Sequence, residues 1–227
     1  MASLKSKLRR KLMESHGARK NTRNAIWLAY SPKSKSDVAL ASNNECVYWL
    51  THLETDPAIK SFHFGYEAQL KFESEDGFRK REIIRVELQN GETQAHVLSA
   101  GDGGVVRNTV AIFALFPGKA VKEERQISHI RVHSDHLRQQ AQKATRVLKM
   151  IGFASQIREH RHDVVTAAVE LTLLALKAGR VEQLLLATSR HDPMVVLGVL
   201  AEKILAGGVE IDLETRALGN HSYWKLK

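Results

Sequence analysis

Residues 81–100, REIIRVELQNGETQAHVLSA, read as two apolar strands joined around Asn90-Gly91, with Glu82 near the start of the first and His96 inside the second. Alternating apolar residues on either side of an Asn-Gly pair are hairpin chemistry. A carboxylate and an imidazole on one hairpin raise a definite possibility. A divalent cation held there would polarise a phosphodiester, provided further oxygen donors and a charge-stabilising group stand close by. Other residues with ligand chemistry are less well arranged. His133-x-x-His136 and His160-x-His162, with Asp135 and Asp163, match no standard zinc spacing and read as polar helix ends. The glycine-rich AGDGGVV at 100–106 has neither a Gly-x-Gly-x-x-Gly nor a Gly-Lys-Ser/Thr ending, so it reads as a tight turn. Trp27, Trp49 and Trp224 are scattered along the chain and form no base-stacking platform, and no nucleophile elbow occurs.

The charge is unevenly placed. Residues 1–35 hold Lys5, Lys7, Arg9, Arg10, Lys11, Arg19, Lys20, Arg23, Lys33 and Lys35 against the single acid Glu14, a net of +9 that equals the excess of the whole chain. The rest is balanced. A basic arm on a neutral body fits contact with the phosphate backbone of DNA, whose strength falls steeply with salt. The same arm also reads as a solvated tail, and Leu4, Leu8 and Leu12 at spacing four give it an amphipathic stripe that suits a partner protein. No run of eighteen apolar residues and no apolar signal-peptide core are present, so the expectation is a cytoplasmic protein without a membrane partner. The lone Cys46 forms no internal disulfide and reads as a small buried hydrophobe.

The elements that must position these residues follow from the pattern. With 227 residues, of which 43% are hydrophobic and 26% charged, the chain can bury one large or two small cores. SNNECVYWLTHL predicts a helix capped by Ser42 or Asn43, with Cys46, Leu50 and Leu53 on one face, ended by Asp56-Pro57. IKSFHFGYEAQLKF, REIIRVEL and TQAHVLSA predict strands, and GGVVRNTVAIFALF fits helix or strand equally. ISHIRVH predicts a strand followed by a polar helix from about Ser134 to Met150. From Asp163 the pattern becomes helical. One helix is capped by Asp163 and closed by Gly179, VEQLLLAT is a second, Asp192-Pro193 opens a third to Ala206, and two strands flank Gly219-Asn220. Three helices and a hairpin spell a winged helix. Its third helix, PMVVLGVLAEKIL, offers little to read base edges with, so packing or protein docking is the expected role.

The order RKNTRN, SNNECVYWLTHLETDPAIKSF, HIRVHSDHLRQQ and VEIDLETRAL resembles TnsA-type endonuclease subunits of heteromeric transposases across nearly the whole chain. The resemblance implies an α/β (α+β) protein. A basic arm over 1–35 would lead into a restriction-endonuclease-like PD-(D/E)xK core over 36–157 and a C-terminal winged-helix domain over 158–227. It also implies a DDE-type transposase and an AAA+ ATPase as partners, and Mg²⁺ or Mn²⁺ as cofactor if the protein is active. Carried over residue by residue, the family's helical Glu falls on Glu45, its Pro-Asp on Arg81-Glu82 and its Glu-x-Lys on His96-Val97-Leu98. Its Gln-Pro falls near Tyr66-Glu67.

Two of these substitutions bear directly on catalysis. Imidazole is a poor Mg²⁺ ligand beside oxygen donors, and Leu98 neither orients water nor balances charge. The expectation is therefore a pseudonuclease acting through DNA and protein contacts, with no metal or cofactor and with Glu45, Glu82 and His96 as vestigial positions. The alternatives are an active endonuclease with Glu45, Glu82 and His96 as an altered ligand set, and a non-catalytic adaptor. Read without the resemblance, Glu45 is a solvent-facing helical acid, Glu82 one charge among several, and His96 a hydrogen-bonded strand histidine.

Overall fold

A computed structural model describes residues 27–40, 44–114, 123–158 and 162–227. The chain is a mixed α and β protein that divides into two compact units, residues 58–139 and residues 1–57 with 140–227.

The first unit is built around a closed barrel. Strands β3 (Ile59–Lys71), β4 (Arg79–Leu88) and β5 (Thr93–Ser99) form an antiparallel meander. Gly91 makes the β4–β5 turn possible at φ 85, where its N–H reaches the Leu88 carbonyl at 3.0 Å. Asn90 Oδ1 accepts from the Glu92 N–H at 3.0 Å, the local side-chain bond that favours Asn in turns. β7 (Glu123–His133) runs parallel to β5. β6 (Val105–Ala114) pairs with β7 along its length and with β3 at Leu70↔Ile112, which closes the order β3-β4-β5-β7-β6. The segment that periodicity left open is thus a strand, because both of its edges find partners. All five strands send side chains to the interior, where Ala68, Leu70, Ile83, Ala95, Val110, Ile112 and Ile127 form the core. A short helix α2 (Ser134–Gln139) follows β7, and the Ser134 hydroxyl accepts from the Gly101 N–H at 3.2 Å.

The second unit begins with a hairpin of β1 (Trp27–Ser31) and β2 (Ser36–Leu40), followed by α1 (Asn44–Thr55). The expected cap at Ser42 or Asn43 lies outside the described residues. Leu50 and Leu53 are fully buried, as their shared face requires, while Cys46 is only half-buried. Helix α3 (Ala141–Gln156) opens the unit's later part, and the expected single helix after Ser134 is in fact two, broken at Gln140. Then come α4 (Asp163–Leu176), β8 (Ala178–Arg180), α5 (Val181–Ala187), α6 (Pro193–Leu205), β9 (Val209–Ile211) and β10 (Tyr223–Leu226). The three short strands make one antiparallel sheet in the order β8-β10-β9.

Three expectations change here. The boundary set at 157/158 runs through a single core: Val147, Met150, Ile151 and Ala154 of α3 cluster with Val196, Val199 and Leu200 of α6 and with Trp224 of β10. Helix α3 looks polar in sequence because its apolar positions form only one stripe, yet that stripe is what α6 covers. A second change is that α4 does not end at Gly179. Lys177 takes the left-handed position, at φ 61, and its N–H bonds the Leu173 carbonyl at 2.8 Å. Gly179 instead belongs to β8, where a Cβ would stand 2.7 Å from Gln183 Oε1. The third concerns Asp163, which is the first helical residue of α4 and not its cap, a position held by His162. For α6 the sequence reading holds: Asp192 caps it, accepting from the Met194 N–H at 2.8 Å, with Pro193 at the first helical position.

Candidate functional site

The three positions read as vestigial, which would hold metal only in an active enzyme, fall in two units. Glu45 lies in the first turn of α1, half-buried. Glu82 and His96 lie on β4 and β5 of the barrel.

On the barrel the geometry is definite. His96 pairs in register with Ile84 on one side and Ile130 on the other, and these three residues face away from the interior cluster containing Ile83 and Ala95. Glu82, two residues before Ile84, shares that outward face and is a diagonal neighbour of His96. Their surroundings differ sharply. His96 is 3% exposed between two buried isoleucines, and its Nε2 meets Gln94 Oε1 at 2.9 Å. Glu82 is exposed and stands opposite Glu67 of β3, whose carboxylate pairs with Lys80 at 2.7 Å. Leu98 lies on the face of His96 and pairs in register with buried Val132. Among the described residues, no three His, Cys, Asp or Glu side chains converge as a metal site.

The neighbouring Arg81 is turned the other way. Its guanidinium lies over the Phe72 ring at 5.1 Å and pairs with Glu75. Arg85 likewise lies over Tyr66 at 5.5 Å. His129 is 1% exposed and edge-on to Phe72 at 4.9 Å, with its Nδ1 unpaired. Burial, then Arg131 and Arg81, push the His129 imidazole below its ordinary range and keep it neutral. Sequence reasoning missed this residue. The one local signal is that His129 stands two residues after Ile127, which belongs to the interior cluster. One end of the barrel opens into a cavity of about 530 Å³ lined by Arg85, Glu87, Glu92, Thr93, Arg125 and Ser128. It brings together two guanidinium groups and two carboxylates without a paired nucleophile and base.

The other histidine positions do not assemble either. His133 Nδ1 stands 3.4 Å from Ser99 Oγ, and Asp135 pairs with Arg138 at 3.3 Å. A hydrogen bond shared with Asp102 raises the Asp135 carboxyl above the usual range. His160 lies outside the described residues. Trp49 and Trp224 are buried core residues and Trp27 is partly exposed, so stacking on bases has no common surface.

Of the basic positions expected to touch DNA, Lys5, Lys7, Arg9, Arg10, Lys11, Arg19, Lys20 and Arg23 lie outside the described residues. Lys35 is exposed in the β1–β2 turn at φ 48. Lys33 is a correction. Its ammonium donates to the Leu53 carbonyl at 2.9 Å and to that of Asp56, so it closes the end of α1 and is not displayed for phosphate contact. Beside it Glu54, fully buried, accepts from the Ser31 hydroxyl and from the Lys33 N–H at 3.4 Å. The expected end of the arm at residue 35 therefore falls inside a folded hairpin.

Helix α6 buries Val196, Val199, Leu200, Ala201, Ile204 and Leu205, and Lys203 pairs with Glu170 of α4. It is a packing element. Compared with models of known protein families and with curated proteins, the chain matches none.

Proposed function

We propose that this chain is a TnsA-like protein of a transposon or other mobile element that has given up phosphodiester cleavage and acts by binding DNA through its basic arm and by contacting protein partners, a DDE-type transposase and an AAA+ ATPase among them. The observation that carries the reading is the state of the β4–β5 hairpin. His96 is enclosed between Ile84 and Ile130, and Leu98 stands where a charge-balancing lysine is required. A sealed imidazole and one exposed carboxylate fit Mg²⁺ poorly, because that ion demands near-octahedral oxygen ligation.

The order of elements bears on this reading, with the later helices sharing one core with α3. Helix α1 precedes the β3-β4-β5 meander with β7 parallel to β5, an arrangement compatible with a restriction-endonuclease-like core, while strand β6, between β5 and β7 in the chain, closes a barrel. Helix, strand, helix, helix, strand, strand, with a β8-β10-β9 sheet, is the order of a winged helix. The decisive experiment compares the purified chain with Glu45→Ala and Glu82→Ala for nicking of supercoiled DNA in Mg²⁺ and in Mn²⁺. Metal-dependent nicking lost in either variant would overturn the proposal.

A further inference from the structure

The barrel wall has a notch. Strand β7 pairs with β6 along its length but with β5 only from Ser128 onwards, so over residues 123–127 one edge of β7 has no strand beside it among the described residues. The N–H and C=O groups along such an edge are unpaired donors and acceptors. The cavity of about 530 Å³ lies here, lined by that part of β7 and by the β4–β5 turn, and its volume is that of a small-molecule site. Its lining is polar nearly throughout. Ile127 is the one bulky apolar residue in it, and no aromatic ring is among the rest. Arg85 and Arg125 supply two guanidinium groups, Thr93, Thr109 and Ser128 three hydroxyls, and Glu92 an exposed carboxylate. The other carboxylate, Glu87, is taken by Lys60 at 2.8 Å. Arg85 lies over the Tyr66 ring and, among the described residues, has no carboxylate paired with it. A guanidinium stacked on a ring keeps its in-plane N–H groups for a forked bond to an oxyanion.

We propose that this cavity binds a phosphorylated sugar, its phosphate on Arg85 and Arg125 and its hydroxyls on Glu92 and the open edge of β7. The inference is independent of the DNA-binding reading. Two guanidinium groups match the double charge of a phosphomonoester better than the single charge of a carboxylate. The space beyond the phosphate calls for groups that donate to a carboxylate and also accept from N–H groups, and sugar hydroxyls do both. A nucleobase or an acyl chain would leave the threonine and serine hydroxyls and the strand edge dry and unpaired, a loss that contact with Ile127 alone does not offset.

An NMR titration of the isotope-labelled full chain at low salt tests this, with ribose 5-phosphate, inorganic phosphate, ribose and a short DNA duplex as probes and the backbone amides of Thr93 and Ser128 as reporters. Ribose 5-phosphate is expected to move both amides with a dissociation constant on the order of 0.1–1 mM, which ordinary ligand efficiency allows a molecule this small. Inorganic phosphate binds about tenfold more weakly, because it lacks the hydroxyl bonds, and ribose moves neither amide. Arg85→Lys keeps the charge, loses the fork and weakens both anions by about tenfold. Glu92→Gln, at an exposed position that leaves the fold intact, favours both anions alike by its lost charge but removes the carboxylate acceptor, so it narrows the gap between ribose 5-phosphate and phosphate by about fivefold. No movement with ribose 5-phosphate, equal affinity for it and for phosphate, or a gap unmoved by Glu92→Gln would overturn the proposal. Movement of both amides by the duplex alone would overturn it too, and would assign the cavity to the sugar–phosphate backbone of nucleic acid.

Discussion

The Lys33 ammonium stands 2.9 Å from the Leu53 carbonyl oxygen, at the end of the helix in which Glu54 is buried. Burial lowers the Lys33 pKa from the ordinary 10.5 to about 8, against the opposing pull of Glu54 and Asp56. Burial likewise raises the Glu54 carboxyl, against the Ser31 and Lys33 hydrogen bonds. The two groups act on stability in opposite directions. Between pH 8 and 10.5 the unfolded chain holds the Lys33 proton more tightly than the folded one, so this group makes stability rise with pH. Glu54 binds its proton more tightly when folded, so its contribution is complete below the unfolded value near 4.5 and is lost as pH rises through the folded pKa.

Urea denaturation of wild type, Lys33→Met and Glu54→Gln across that range separates the two contributions. Lys33→Met costs about 1–3 kcal/mol at neutral pH from the orphaned carbonyls. Its deficit relative to wild type widens between pH 8 and 10.5. Relative to Glu54→Gln, wild type loses stability as pH rises from 4.5. A difference that stays flat with pH in either pair would show that the group titrates as it does in the unfolded chain.

Two glycines on neighbouring helices give opposite predictions for the same substitution. A Cβ at Gly198 of α6 would stand 2.6 Å from Ile157 Cγ2 and 3.0 Å from the Phe153 carbonyl oxygen. The backbone atom cannot give way as a side chain would, so Gly198→Ala destabilises the protein by about 1–3 kcal/mol. At Gly152 of α3 nothing lies within 4 Å of the added carbon. Gly152→Ala therefore stabilises it by about 0.5–1 kcal/mol through helix propensity alone. Thermal unfolding of both variants tests whether α3 packs on α6, the packing that moved the expected domain boundary.

That packing shows where the sequence was legible and where it was not. Local chemistry could be read directly: the Asn90-Gly91 turn, the Asp192 cap with Pro193, and the alternating strands on either side of Gly91 all depend on residues close in sequence. Partnership could not. The 105–114 segment became a strand because β3 and β7 flank it, and α3 joined the later helices because its narrow apolar stripe fits α6. Lys177, not Gly179, terminates α4, taking the positive φ that a glycine ordinarily supplies. At the candidate site the sequence marked His96 correctly as a strand histidine but not its enclosure, which depends on the register that brings Ile130 alongside. His129 went unmarked because an inward histidine in a barrel looks, in sequence, like one more polar residue.

The arm prediction is sharpened by the same hairpin. Removing residues 1–35 would delete β1 and the bonds that Ser31 and Lys33 make to α1, and so would unfold part of the body as well as remove charge. Removing 1–24 takes away eight of the ten basic residues and Glu14, and leaves β1 whole. This shorter truncation is expected to weaken binding to random duplex DNA and to reduce the slope of log affinity against log salt by about 0.9 for every phosphate the protein no longer neutralises. Fluorescence anisotropy at several salt concentrations measures both. Equal affinity and equal slope for the truncated and full chains would remove the arm from DNA binding.

Catalysis is the sharpest test. A two-carboxylate site with a lysine must hold hard cations, orient a water and balance developing charge. Here Glu82 is exposed, His96 is sealed in an apolar row, and Leu98 offers no charge. Losing one charge-stabilising donor in such a site costs about a hundredfold or more in rate, and weakened metal affinity compounds the loss. The expected outcome is no metal-dependent cleavage of linear or supercoiled DNA in Mg²⁺ or Mn²⁺, with any residual nicking identical in wild type, Glu45→Ala and Glu82→Ala purified side by side. Because Glu82 is exposed, its alanine variant keeps the barrel intact, and a lost activity would report chemistry and not misfolding. Adding Leu98→Lys to that comparison separates two ways of being inactive. If only the charge-balancing group is missing, the lysine restores measurable nicking; if the sealed His96 also denies the metal its ligand, it does not, and the enclosure between Ile84 and Ile130 predicts the second result.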